Sequence, residues 1–348
     1  MRLIEDRTYC MSSFLMFRSI IDKSRCFSSR FIPYYVEPSA TRYPVHNAKE
    51  LFAILQEQCY QFVASKKIAL ALSGGIDSAI LAALLPKGSM TYTFRCMPNT
   101  GNQIDETERA NLYARICGHK NKLVDITWND MQEYSVPLMK HKGAPIHSIE
   151  VQIFKAALQA RQDGFDALMF GEAADSLYGG MDRALKQEWT FGDFVDLSSY
   201  VLPYKVLKEY EMILSPYSKC VTDGYVDVHK FFSTTFFRES TNSYQNACAT
   251  AGISCVMPYA NTILDVPLNY NLVRSGQSKY LVRELFQMLY EGLDVPSKIP
   301  MPRPMNEWLL NWDGPQRDEF WKNCTKTMTG DQKWMVWTLE RFLNICDE

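Results

Sequence analysis

The sequence predicts an α/β protein with a parallel sheet and a C-terminal helical lobe. Three observations carry this. Short apolar runs of strand length alternate with helical patterns of 10–15 residues between positions 48 and 170. The first of these runs, residues 68–72, is wholly apolar, as in a strand covered on both faces. Beyond about residue 185 helical spacing dominates, and five of the seven tryptophans (308, 312, 321, 334, 337) fall in the last part of the chain.

Residues 1–45 read as an irregular lead-in ending in the strip Pro33-Tyr34-Tyr35-Val36-Glu37-Pro38. A helix follows at about 48–64, where Leu51, Ile54, Leu55, Tyr60 and Val63 recur near helical spacing. Residues 67–72 form the first strand, and a helix starting at Asp77 stops near Pro86-Lys87-Gly88. Residues 90–96 are the second strand. Residues 105–117 are helical and end at Gly118, a residue suited to a helix C-terminus. A third strand spans 123–128, a helix 151–162 and a fourth strand 167–170. In the second part, residues 279–290 place Leu281, Val282, Leu285, Phe286, Met288 and Leu289 at helical intervals. The domain organisation expected is a lead-in at 1–45, an α/β core at 46–185 and a mostly helical lobe at 186–348.

Composition narrows the function. The 348 residues carry 37 Lys plus Arg and 39 Asp plus Glu, a net charge of −2, so no overall basic footprint points to nucleic acid or an anionic membrane. No apolar window reaches the length of a membrane span. The start of the chain lacks a secretion-signal pattern, being interrupted by Glu5, Asp6, Arg7 and Arg18. The ten cysteines include no CxxC pair and the five histidines no HxxxH, so neither signals a metal site. The expectation is reduced, mostly buried thiols in a cytoplasmic protein.

The informative segment is Leu72-Ser73-Gly74-Gly75-Ile76-Asp77-Ser78, which joins a buried strand to a helix. Two glycines allow a backbone to approach an anion closely, and the N–H groups of the first helical turn attract phosphate. The Ser73 and Ser78 hydroxyls add donors. Asp77 repels bare phosphate, so its expected task is to hold Mg²⁺ together with phosphate oxygens. The loop is neither GxxxxGK[ST] nor GxGxxG. A second turn, Gly171-Glu172-Ala173-Ala174-Asp175-Ser176-Leu177-Tyr178-Gly179-Gly180, follows the fourth strand. Ligands of open α/β sheets sit beyond the carboxyl ends of the strands, so Asp77 and Asp175 are expected to face one crevice.

Residues 73–78 resemble the pyrophosphate loop of the PP-loop (N-type) ATP pyrophosphatases, also called adenine nucleotide alpha hydrolase-like. The second turn resembles GEGxDExFGG of the asparagine synthetase branch. Asp105-Glu106-Thr107, the stretch 278–284, and Lys298 with Pro304 and Glu307-Trp308 extend the likeness over roughly residues 65–310. The resemblance implies an ATP-dependent, AMP-forming carbon–nitrogen ligase. It would adenylate a carboxylic acid, release pyrophosphate and pass the acyl group to ammonia or another amine. By matched position, Lys298 and Glu172 are the catalytic residues. Asp77 and Asp175 hold Mg²⁺. Leu72, Ser73, Gly74, Gly75, Ser78 and Lys279 bind ATP and its pyrophosphate, with Leu72, Cys96, Phe170 and Gly171 around adenine.

The sequence also departs from the family. Position 2 is Arg rather than a nucleophilic Cys, and only the stretch from Met11 to Pro33 resembles the tail of a glutaminase domain. The expectation is no glutamine hydrolysis by this chain, with a separate glutaminase as a possible partner. Ser254-Cys255-Val256-Met257-Pro258-Tyr259-Ala260-Asn261 lacks the family's charged substrate positions. Ser176 stands in place of Glu, and Pro300-Met301-Pro302 in place of Gly-Phe-Gly. These changes speak against aspartate as the small-molecule acid and leave open a hydrophobic or glycosyl carboxylic acid, or an intramolecular amide closure as in the related β-lactam synthetases. Two alternatives remain: a nucleotide-binding, non-catalytic subunit, and a tRNA-modifying adenylating enzyme.

Overall fold

The computed structural model describes residues 3–98, 106–297, 301 and 303–348. Five parallel strands make the central sheet: β1 (Ile68–Ala71), β2 (Met90–Cys96), β3 (Lys120–Ile126), β4 (Ala167–Met169) and β5 (Ser254–Val256), in the order β5-β4-β1-β2-β3. The register pairs Leu70 with Thr91 and Met169, so β1 lies between β2 and β4. The chain moves outward from β1 through β2 to β3, then returns to the other side of β1 as β4. That reversal is a topological switch point, where a crevice opens beyond the strand ends. Both sequence turns singled out above follow the two strands that flank it.

Helices cover both faces, which explains why the strands carry apolar residues on both sides. One layer holds α2 (Ala48–Ser65), α3 (Ile76–Leu84), α4 (Thr107–Cys117) and α8 (Tyr280–Leu289), packed through Leu55, Ile80, Ala114, Val282 and Phe286. The other holds α5 (Trp128–Lys142), α6 (Ser148–Gln162), α7 (Phe237–Ala251), α9 (Gly330–Asp347) and α1 (Arg7–Phe17), packed through Phe14, Leu138, Ile153, Ala247 and Trp334. Among the described residues no helix is long and apolar enough to cross a membrane.

The α/β class and the alternation stand as expected, with four differences. The third strand starts at Lys120, and Trp128 opens a helix instead of ending a strand, because Thr127 and Asp130 form a reciprocal capping box there. That helix, α5, was hidden by its mixed polarity and by Pro137 within it. Ser254-Cys255-Val256 is the fifth strand, so the region after residue 185 is not helical throughout. The lead-in is not irregular: residues 7–17 form α1, buried on nearly every face, which is why helical amphipathicity did not reveal it. Four tryptophans, 128, 308, 334 and 337, do cluster with ring centroids 5.0–6.3 Å apart, but Trp321 is 49% exposed and lies outside the core.

Two buried polar networks fix the second layer. Lys142 Nζ lies 2.6 Å from Glu150 Oε1, and Asn246 donates to Glu150 Oε2 at 2.7 Å, joining α5, α6 and α7. Arg18, in the left-handed conformation (φ 55°) that ends α1, pairs with Glu239 of α7 at 2.8 Å, donates to Tyr200, and lies over the Tyr200 ring. The side chains of Arg18 and Glu239 are 10% and 3% exposed, so removing one partner strands a charge in the interior. Arg18→Met should therefore lower the unfolding free energy by about 3–5 kcal/mol in urea titration. The double change Arg18→Met with Glu239→Leu should recover most of that loss.

Candidate active site

The loop after β1 is organised by its own hydroxyls. Ser73 N–H donates to Ser78 Oγ at 3.0 Å, Gly75 N–H donates to Ser73 Oγ at 3.1 Å, and the two hydroxyls lie 3.0 Å apart. Helix α3 starts at Gly75 with no side chain capping its first turn. The orphan N–H groups of that turn are thus directed at the crevice, the arrangement that attracts phosphate.

The turn after β4 lies directly against this loop. A Cβ on Gly171 would come within 2.8 Å of Ser78 N and 2.9 Å of the Asp77 carbonyl carbon, so only glycine permits this approach. Ala173 sits at φ 80°, a conformation that costs an L-residue roughly 1–2 kcal/mol. This bend sends the chain back so that Asp175 faces Asp77. Lys279, also left-handed at φ 52°, stands at the head of α8 and joins the two. Its Nζ lies 2.9 and 2.7 Å from the two oxygens of Asp77 and 2.8 Å from Asp175 Oδ1. Burial opposes the Lys279 charge, but the Asp175 and Asp77 carboxylates outweigh it and hold the ammonium more firmly protonated than an ordinary lysine.

Glu172 stands beside this trio at the wall of the cleft. Ser240 Oγ of α7 donates to its Oε1 at 2.7 Å, and the Tyr244 hydroxyl, one helical turn further on, reaches the same carboxyl. Burial lifts its proton affinity above the usual carboxylate range, against the hydrogen bonds from Ser240 and the Ala173 backbone; the nearby Asp175 charge adds to the rise. A carboxyl so placed is suited to accept and release a proton.

The crevice spans about 870 Å³, its open mouth included. Leu72, Ser73, Asp77, Ser78, Phe170 and Gly171 line it, as the sequence reading expected. Cys96 does not: it is 3% exposed at the end of β2, and Thr93, Phe94 and Arg95 form that wall. The strand spans Met90–Cys96 as expected, and its last side chain turns into the core. Asp105, Lys298, Pro300 and Pro302 lie outside the described residues. Sequence reasoning missed Ser240, Tyr244 and Arg303; the first two are four apart on one helical face, a spacing indistinguishable from ordinary packing until α7 is seen against Glu172.

Asp77 and Asp175 are two carboxylates that meet at Lys279, and Asp77 lines a crevice whose chemistry suits phosphate. Among the described residues no group of three or more His, Cys, Asp or Glu side chains forms a metal cage. Two carboxylates fit Mg²⁺ that arrives with a nucleotide and keeps waters and phosphate oxygens as its other ligands.

An open parallel sheet with a glycine loop, an uncapped helix and paired carboxylates at its switch point defines a nucleotide-using α/β protein. The chain belongs to the asparagine synthase family, whose model matches residues 55–327. No curated protein matches it. Solved structures similar to it include the U34-tRNA thiolase NcsA from Methanococcus maripaludis with its [4Fe-4S] cluster, at 13% identity and TM-score 0.33, covering 85% of this chain and 79% of that one. Another is the NMN synthetase from Francisella tularensis, at 13% identity and TM-score 0.28, covering 72% of this chain and 97% of that one.

The raised Glu172 carboxyl has a stability consequence. Below the unfolded pKa of about 4.3 it is protonated in both states and costs nothing. As pH climbs through the higher folded value, the folded protein loses stability because the buried carboxyl must ionise. Glu172→Gln should thus melt at or above the wild-type temperature at pH 8, with the difference vanishing near pH 4. A Cβ at Gly180 would lie 2.3 Å from Asp175 Oδ1, so Gly180→Ala should weaken ATP binding at least tenfold in calorimetry.

Proposed function

We propose that this protein is an ATP-dependent, AMP-forming ligase that makes an amide from a carboxylic acid and an amine. The observation that carries the reading is the convergence of Asp77 and Asp175 on the phosphate-suited loop, with Glu172 on the adjoining wall. ATP would lie with adenine near Leu72, Phe170 and Gly171 and its phosphates over the α3 N-terminus. Mg²⁺ shared by Asp77 and Asp175 would neutralise charge on the departing pyrophosphate. Lys279 holds both carboxylates in place before the nucleotide arrives.

In the first step an oxygen of the acid attacks the α-phosphorus and pyrophosphate leaves, forming an acyl-adenylate. In the second, the amine nitrogen attacks the acyl carbon, loses a proton and expels AMP. Glu172 is the proposed acceptor of that proton, steadied by Ser240 and Tyr244. Lys298 is the proposed cation at the reacting groups. Support comes from its neighbours in the chain: Arg109 Nη1 of α4, whose Cβ would meet one on Gly74 at 3.1 Å, donates to the Ser297 carbonyl at 3.0 Å, and Met301 lines the cleft. The amine would come as free ammonia, from a separate glutaminase, or as an organic amine. The ten cysteines, seven of them buried and none in a CxxC pair, support work in a reducing compartment such as the cytoplasm.

Mixing the protein with Mg-ATP, a panel of acids and ammonium should yield pyrophosphate and AMP in equal amounts. ADP and phosphate would reject the mechanism, and tight ATP binding without turnover would favour a non-catalytic subunit. Asp77→Asn, Asp175→Asn and Lys298→Ala should each lower pyrophosphate release by a factor on the order of 10²–10³. Lys298→Ala should leave ATP affinity within a few-fold of wild type.

A further inference from the structure

The nucleotide cleft opens into a second, larger cavity. Glu172, Tyr244 and Met301 line both. The second cavity measures about 2130 Å³ with its open mouth and about 820 Å³ without it, toward the upper end of the roughly 300–1,000 Å³ of ordinary small-molecule sites. A free amino acid such as aspartate would leave most of it filled with water.

The wall farthest from the nucleotide is aromatic. Residues 232–236 take a π-helical turn between residue 231 and α7, and this wide turn places Phe232 and Phe236 together with their rings 5.4 Å apart. Phe231 packs edge-on to Phe232 at 5.5 Å, and Phe17 and Tyr200 continue the surface. Such rings favour an apolar or aromatic guest.

The charges on this wall are unequally committed. Arg18 is already bound to Glu239, Tyr200 and His147, so it serves as a fixed support beneath the rings. Arg303 is held more loosely. It donates to the Met301 carbonyl at 3.1 Å and reaches the largely exposed Asp331 at 3.3 Å. Through Met301 it adjoins the junction of the two cavities, where a carboxylate bound for the α-phosphorus has to pass.

Resting on the ligase reading above, we infer that this second cavity binds a bulky carboxylic acid with an aromatic or aliphatic body. Its carboxylate lies at the Glu172 end beside Arg303, and its body lies against the Phe232–Phe236 wall. The same geometry disfavours aspartate as the acid: Asp182, Asp196 and Asp331 line the cavity and could meet its ammonium group, but its side chain would not reach the rings.

Cinnamate, indole-3-acetate and aspartate are the probes. Binding is read by calorimetry with the whole chain, and adenylation by acid-dependent exchange of labelled pyrophosphate into ATP. Cinnamate and indole-3-acetate should bind and drive exchange, and aspartate should do neither. Phe236→Ala should raise KM for the aromatic acids about tenfold with kcat within twofold, and Phe236→Leu should restore part of the loss. Arg303→Gln should weaken both acids to a similar extent. Phe236→Leu also serves as the readout if the alanine variant does not fold. Exchange driven by aspartate alone would overturn the inference while leaving the ligase standing. Aromatic acids that bind with Phe236-dependent affinity but drive no exchange would uphold the pocket and sink the ligase. Absence of binding by either aromatic acid, or binding indifferent to Phe236, would overturn the pocket.

Discussion

The site depends on one ammonium group. Lys279 Nζ touches Asp77 and Asp175 at once, and the three residues come from the turn after β1, the turn after β4 and the head of α8. Burying such a trio contributes little net stability, because removing charges from water costs about as much as their attraction returns. Its value is positional. Two carboxylates at this separation repel, and without a cation between them the turns would drift apart. Asp77, Asp175 and Lys279 together carry one net negative charge. The left-handed Lys279 and Ala173 show that the backbone bears strain to make this contact.

Topology explains why the contact is possible at all. Asp77 and Asp175 are separated by 98 positions, yet β1 and β4 are hydrogen-bonded neighbours, with Leu70 opposite Met169. The turns leaving these strands therefore start side by side. What remains is a question of close approach, and Gly171 settles it: any side chain there would strike the Asp77–Ser78 backbone. Sheet order sets the position of the site, and one missing Cβ sets its tightness.

Much of this was legible in the sequence, for identifiable reasons. Residues 68–71 are apolar on both pleats, 73–75 can only be a tight turn, and 76–84 show a helical stripe, so the strand–loop–helix unit at the phosphate site is written locally. The convergence of Asp77 and Asp175 followed from the strand-end rule without knowledge of contacts. What could not be read was non-local. Helix α1 is buried nearly all round, so it shows no amphipathic stripe and gives no periodic signal. The strand at 254–256 is too short to announce itself, and it exists because β4 offers an open edge. Ser240 and Tyr244 matter only because α7 crosses Glu172, a fact of packing between segments some 70 positions apart. Cys96 failed because it ends β2 with its side chain in the core, while the three residues before it line the crevice.

The N-terminal helix ties the second cavity to the core. Its last residues, 16–18, form part of the second cavity, while its buried face is continuous with the core under α9 and α5. Arg18 therefore belongs to two structures: it ends a core helix in a strained left-handed conformation, and it holds Tyr200 and Glu239 behind the aromatic wall. Glu239 sits one residue before Ser240, so the same turn of α7 that anchors the wall also presents the hydroxyl that holds Glu172. The aromatic wall and the Glu172 carboxyl are thus anchored on one turn of α7.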